Sequence, residues 1–192
     1  MRHRYPPSLP LPRLWLISDA RIDDRLEAAL DRLPRGSGLV FRHYHLPPAE
    51  RRARFDQLRR RAQRRGHLVV LSGTAAQARR WQADGAYGSP GHLTRGPALL
   101  RLVTVHSYRE LAVAQRVRAD MVVISPVFAT ASHPGARSLG PLRYRLLARR
   151  SRLPVIALGG MDKRRAGRIG ARRWAAITSL AQPLKPPFPI PC

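Results

Sequence analysis

Residues suited to holding a phosphoryl group concentrate in two stretches of this chain. The segment SPVFATASHPGARSLG, Ser125–Gly140, carries the hydroxyls of Thr130 and Ser132, the imidazole of His133 and the guanidinium of Arg137, with Pro134 and Gly135 shaping the backbone. Hydroxyl donors beside cationic side chains suit a phosphate or pyrophosphate, because charge-assisted hydrogen bonds to phosphate oxygens are the strong ones. The stretch LPVIALGGM, Leu153–Met161, is an apolar run that ends in Gly159 and Gly160. A glycine pair lets backbone N–H groups approach an anion closely, although tight turns use the same pair. His106 follows the apolar run Leu102–Val105. An unperturbed imidazole titrates near neutrality, which suits the transfer of one proton, although a lone strand-end histidine is more often a structural hydrogen-bonder.

The elements that must position these groups alternate along the chain. Short apolar runs lie at Leu14–Ser18, Leu39–Phe41, Leu68–Leu71, Gly85–Tyr87, Leu102–Val105, Met121–Ser125, Val155–Leu158 and Trp174–Thr178. Helical spacing fills Asp23–Leu33, Pro47–Arg65, Thr74–Gln82, Ser107–Arg118, Leu142–Arg150 and Asp162–Gly170. Short strands alternating with helices imply βαβ units and a parallel sheet. Eight strands in that order predict an α/β fold of the (β/α)8 barrel type, with a six-stranded doubly wound sheet as the alternative. The doubly wound reading lacks a glycine fingerprint after the first strand, where Ser18-Asp19-Ala20 stands. In a parallel barrel the chemistry gathers at the carboxyl ends of the strands. Here that rim comprises Ser18, Asp19, Arg42, Ser72, Tyr87, His106, the loop from Pro126 to Arg137, Gly159-Gly160 and Thr178-Ser179. Ser107 with Glu110 three residues later reads as a helix capping box. Only Leu180–Gln182 stands between the last strand and a proline-rich end, so the eighth helix is short or missing, and an uncovered apolar flank there suits association into a homo-oligomer.

Composition narrows the classes. The 192 residues suffice for one core, bounded by proline-rich ends over 1–12 and 181–192 with a barrel over 13–180. A 44% hydrophobic and 24% charged make-up excludes collagen-like and disordered chains. No apolar stretch is long enough to span a membrane, the run Leu14–Ile17 is too short for a secretory signal, and a cytoplasmic address is expected. Cys192, the single cysteine, excludes an internal disulfide and a cysteine metal cage. The formal net charge is +25, with 36 basic residues of which all but Lys163 and Lys185 are arginine. Such a field attracts nucleic acid or phosphorylated metabolites. The arginines are scattered, apart from a concentration over Arg51–Arg65, and no zinc-finger spacing or aromatic RNA-binding signature accompanies them. A basic nucleic-acid-binding module therefore stands only as a second alternative.

The stretch VTVHSYRELAVAQRVRADMVVISPVFATASHPGARSLGPLRY, followed by LPVIALGGM and WAAITSL, resembles the thiamine-phosphate synthase and thiazole tautomerase family. The likeness is good over Val103–Leu180 and loose over Leu14–Leu93. It implies a (β/α)8 barrel of thiamine (vitamin B1) biosynthesis. The family's synthases join hydroxymethylpyrimidine pyrophosphate to a thiazole phosphate and release pyrophosphate with the help of magnesium (Mg2+). Its tautomerases move a proton on a thiazole carboxylate phosphate.

On this resemblance Arg42 matches the family's arginine after strand two, while Tyr44 replaces its lysine. Ser72-Gly73 replaces an Asn-Asp pair, and no acid stands near His92, so both usual carboxylate ligands of magnesium are absent. Thr130-Ala131-Ser132-His133 keeps the hydroxyls of a Thr-x-Thr-Lys pattern and loses the lysine. Gly159, Gly160 and Ser179 match the thiazole-phosphate ligands, and His106 matches the tautomerase histidine. The implied site is thus His106 as the catalytic group, Arg42, Ser72, Thr130, Ser132, His133, Gly159, Gly160 and Ser179 as binding groups, and no metal ligand. The implied activity is a synthase with a degraded pyrophosphate half-site; a tautomerase-like or non-catalytic phosphate-binding member is the alternative.

Overall fold

The structure is a computed structural model that describes residues 10–130, 135 and 137–182. Ser132, His133 and most of both proline-rich ends lie outside the described residues. Eight parallel strands, β1 (Leu14–Ile17), β2 (Gly38–Phe41), β3 (Leu68–Ser72), β4 (Gly85–Gly88), β5 (Leu100–Val105), β6 (Met121–Ile124), β7 (Val155–Ala157) and β8 (Trp174–Ala176), form a closed barrel in sequence order. Closure comes from β1 pairing with β8, with Leu14 opposite Trp174 and Leu16 opposite Ala176. This excludes the open doubly wound sheet.

Side chains alternate between the two faces of each strand. Trp15, Ile17, Val40, Val70, Leu102, Met121, Val123 and Ile156 form one buried cluster, the filling of the barrel. Their neighbours Leu16, Leu39, Phe41, Leu71, Val103, Val122 and Ile124 join a second cluster with the helices, through Leu30, Phe55, Leu58, Leu111, Leu147 and Ile169. Trp15 is wholly buried, and its indole Nε1 donates to the Pro12 carbonyl at 3.1 Å. Gly38 lies opposite it in the register, and a Cβ there would sit 2.2 Å from the Trp15 ring. The large residue on β1 therefore requires the missing side chain on β2.

The crossovers are α1 (Leu26–Arg32), α2 (Pro48–Arg64), α3 (Ala75–Arg80), α4 (Tyr108–Arg116), α5 (Gly140–Arg150) and α6 (Lys163–Ile169). The expected helix over 23–33 is split: Asp19 caps a 3-10 turn, Ala20–Arg25, by accepting from the Arg21 N–H, and α1 starts only at Leu26. Ser107 caps α4 by accepting from the Glu110 N–H at 3.2 Å, as its spacing predicts. The last helix, α7 (Thr178–Ala181), has four residues, and Arg32 donates to its Ala181 carbonyl at 3.3 Å. Among the described residues no helix is long and apolar enough to cross a membrane.

Candidate active site

The carboxyl ends of the strands open into a cavity of about 550 Å³, bounded by Arg42 and Tyr44 after β2, Tyr87 on β4, Thr104 and His106 of the β5 end, and Arg137 from the long loop. Beside it, sharing Thr130, Leu158, Gly159 and Ile177 in its walls, lies a smaller cavity of about 300 Å³ bounded by Gly160, Met161, Arg165, Thr178 and Ser179. Of the strand-end positions singled out in the sequence, Arg42, Tyr87, His106, Arg137, Gly159, Gly160, Thr178 and Ser179 meet around these two compartments.

Backbone builds the smaller compartment. Gly159 (φ 99°) and Gly160 (φ 58°) are both left-handed, and the Gly159 carbonyl accepts from the Phe128 N–H at 3.0 Å. The Arg165 guanidinium donates to the Gly160 carbonyl at 2.5 Å and lies 5.1 Å from the Phe128 ring centre. Both carbonyls are therefore turned onto protein donors. Among the described residues neither glycine N–H has an acceptor of its own. The Ser179 hydroxyl donates to the Met161 carbonyl at 2.8 Å, tying the β8 end to the loop after β7. Glycine amides and a guanidinium on one pocket wall suit a phosphate group.

His106 Nδ1 lies 2.5 Å from the Ser125 carbonyl. A carbonyl only accepts, so Nδ1 carries the proton and the lone pair of neutral His106 sits on Nε2, at the larger cavity. The His106 N–H donates to Glu110 Oε2 at 2.6 Å, which fixes the residue from the α4 side. An imidazole held at one nitrogen and open at the other has the arrangement that proton transfer needs.

Arg42 is clamped at its backbone. Its N–H donates to Ser18 Oγ at 2.8 Å, and its carbonyl accepts from Arg51 Nε at 2.8 Å. Ser18 donates in turn to His43 Nδ1 (2.8 Å), His43 Nε2 donates to Asp23 Oδ1 (2.8 Å), and Asp23 is held by Arg54, which also pairs with Glu27. In the sequence His43 reads as a rim or loop residue. Instead it is 1% exposed, because its φ of 42° turns the ring inward to stack on Phe41 with centroids 4.7 Å apart. With Ser18 and His43 both buried, this Ser–His–Asp series meets no substrate; its place is to hold the base of Arg42. Ser72 is also buried, its hydroxyl bonded to the Tyr44 hydroxyl, and it supports Tyr44 from beneath without bounding the cavity. Burial pushes the Tyr87 phenol up to about 12, with the Arg42 guanidinium pulling the other way.

Burial lowers the pKa of His43 and of His67, so both are neutral when folded and gain protons more readily once unfolded. Stability tied to them is full above about pH 6.5 and is lost as pH falls through that range. Arg54 holds the Glu27 carboxyl below its usual range, and Arg61 does the same for Asp31. Their share is lost lower, beneath about pH 4. Calorimetric melting from pH 8 to pH 3 is expected to show the melting temperature falling in two stages. A flat profile between pH 7.5 and pH 5 would contradict the burial of the two imidazoles.

The magnesium that the resemblance implies does not fit this mouth. Magnesium takes oxygen ligands, carboxylates above all. No carboxylate bounds the larger cavity, and among the described residues no three His, Cys, Asp or Glu side chains converge on a metal position. In the smaller cavity Asp162 is committed to capping α6, accepting from the Arg165 N–H at 2.8 Å.

The structure brings together Arg42, Thr130, Gly159, Gly160, Ser179 and His106 around the two compartments. Sequence spacing does not find Arg165 or Thr104, while Tyr87 bounds the larger cavity as its rim position predicts. Arg165 is reachable in hindsight, lying three residues after the Asp162 cap on the first turn of α6, which points back at the diglycine.

The sequence profile of the thiamine monophosphate synthase family matches residues 14–180. A candidate thiamine-phosphate synthase 2 of Aquifex aeolicus is 26% identical over 162 residues, covering 80% of this chain and 87% of that protein. A bifunctional thiamine biosynthesis protein of Symbiobacterium thermophilum is 29% identical over 184 residues, 91% of this chain, which spans only 38% of that longer protein. Among solved structures, the thiamine phosphate pyrophosphorylase of Pyrococcus furiosus superposes with a TM-score of 0.74 at 23% identity, covering 89% of this chain and 90% of that one; it shares the barrel fold. With a profile match running from β1 into α7, over a closed barrel whose diglycine and serine face one pocket, the chain belongs to the thiamine monophosphate synthase family.

Proposed function

We propose that this chain binds a thiazole phosphate, with the phosphate between Gly159, Gly160 and Ser179, and acts as a thiamine-phosphate synthase-type transferase. The thiazole nitrogen forms a C–N bond to the methylene carbon of hydroxymethylpyrimidine pyrophosphate. The C–O bond to pyrophosphate breaks, and the leaving group departs with the electron pair. The observation that supports this reading is the adjacency of the diglycine compartment to a larger cationic mouth, the two sharing Thr130 and Gly159 in their walls. A ring anchored by its phosphate in the first compartment would present its reacting edge to the second. Purified protein given both substrates, with and without magnesium, is expected to release pyrophosphate in a coupled assay. Arg42→Ala is expected to slow release at least tenfold, about 1.4 kcal/mol of transition-state stabilisation. Release undiminished by this change would place the leaving group elsewhere.

A second reading draws on one further observation, the fixed Nδ1 of His106 with its Nε2 at the mouth. That arrangement suits a thiazole tautomerase, in which His106 takes a proton from one position of a thiazole carboxylate phosphate and returns one at another. Absence of pyrophosphate release together with turnover of the carboxylate substrate would select it.

A further inference from the structure

The eleven acidic residues of the chain all fall among the described residues, since neither the two ends nor the segment 131–136 contains Asp or Glu. Their placement can therefore be followed for the whole protein. Asp23, Glu27, Asp31 and Asp56 pair with arginines of α2 on the outside of the barrel. Asp84 and Asp120 accept from the N–H groups of Val69 and Arg101, near the starts of β3 and β5, at the end opposite the mouth. Asp24 pairs with Arg25 in the 3-10 turn, and Glu50 stands in the first turn of α2. The remaining three are each engaged: Asp19 with Arg21, Glu110 with the His106 N–H, and Asp162 with the α6 cap. None bounds the larger cavity, whereas Arg42 and Arg137 both do.

Arg42 has the features of a built anion ligand. Side chains hold its backbone on both sides, Ser18 at the N–H and Arg51 at the carbonyl, and its guanidinium lies over the Tyr44 ring with 5.6 Å to the centroid. Arg51 is itself fixed, donating also to the Ser72 carbonyl at 2.8 Å. A guanidinium fork matches phosphate oxygens two at a time, and a pre-organised one loses little freedom on binding.

We infer that the larger compartment of this barrel is a metal-independent pyrophosphate site, in which the guanidinium groups of Arg42 and Arg137 supply the charge that a divalent cation would supply elsewhere. The inference rests on the proposed synthase reading for its ligand, and its test does not depend on turnover.

The test is calorimetric titration of inorganic pyrophosphate into the full chain at about 0.15 M salt, once with a chelator and once with excess magnesium. The expected result is one site per chain with a dissociation constant in chelator no weaker than in magnesium. Arg42→Gln and Arg137→Gln are each expected to weaken it at least tenfold. Arg137 projects from a loop, so its variant reports on the site even where the Arg42 change perturbs folding. Arg149→Gln serves as the control, since Arg149 faces a groove between α5 and the end of α6 on the outer surface; this change is expected to leave the affinity within twofold. Binding that requires magnesium, or tightens tenfold with it, would overturn the inference. So would no binding in either buffer, or equal losses in all three variants, which would assign the effect to the diffuse +25 charge. Thiazole phosphate titrated separately reads the smaller compartment. Retained thiazole phosphate binding with lost pyrophosphate binding would sink this inference alone, and the reverse would sink the proposed function alone.

Discussion

Under the tautomerase reading, replacing His106 with asparagine is expected to lower turnover of a thiazole carboxylate phosphate by about 100 to 10,000-fold, the contribution of a positioned acid/base. Asparagine retains an N–H donor near the place of Nδ1, so the bond to the Ser125 carbonyl, 2.5 Å in the native protein, keeps a donor. What disappears is the Nε2 lone pair at the mouth. The backbone bond from His106 N–H to Glu110 is indifferent to the side chain. Thiazole phosphate affinity is therefore expected to stay within about twofold of native, since one neutral group outside the phosphate compartment changes. Loss of turnover with unchanged binding and melting temperature would establish proton transfer. Full turnover in the variant would end that role, and unfolding would assign His106 to structure.

Gly159→Ala is expected to weaken thiazole phosphate binding on the order of a hundredfold and to destabilise the fold by about 2–4 kcal/mol. The new Cβ would lie 2.7 Å from the Pro126 Cα and Cβ and 3.0 Å from the Val127 nitrogen, on a residue whose φ is 99°. Those atoms are mostly backbone, so relief must come from moving the loop after β6 away from the loop after β7. That movement breaks the bond from Phe128 N–H to the Gly159 carbonyl, and with it the wall of the phosphate compartment. Gly167→Ala is the control. It stands within α6 with nothing near its would-be Cβ, and the same substitution there is expected to be neutral or stabilising by up to about 1 kcal/mol. Urea unfolding of both variants with phosphate titration separates the two effects. Native-like affinity in Gly159→Ala would show that the diglycine serves only a turn.

The barrel is legible in the sequence because its signals are repetitive. Eight apolar runs at regular intervals leave few parallel arrangements, and the β1–β8 pairing closes the sheet that periodicity predicts. The diglycine and Ser179 are legible for a related reason, since small residues interrupting apolar strand ends mark the mouth. Side chains that act by turning are not legible. His43 is one residue from Arg42 and reads as rim, yet a left-handed backbone sends it into the interior beside Ser18. Ser72 stands at a strand end as expected, but Tyr44 covers its hydroxyl. Arg165 stands among basic neighbours, and only its spacing from the Asp162 cap sets it apart from them.

Titration of the thiazole phosphate against its phosphate-free alcohol tests the central claim most directly. Saturable binding of the phosphate is expected at one site per chain, weakened at least a hundredfold when the phosphate is removed, because the glycine amides and Arg165 then face no anion. No binding of the phosphate at millimolar concentration, or equal binding of the two compounds, would contradict it.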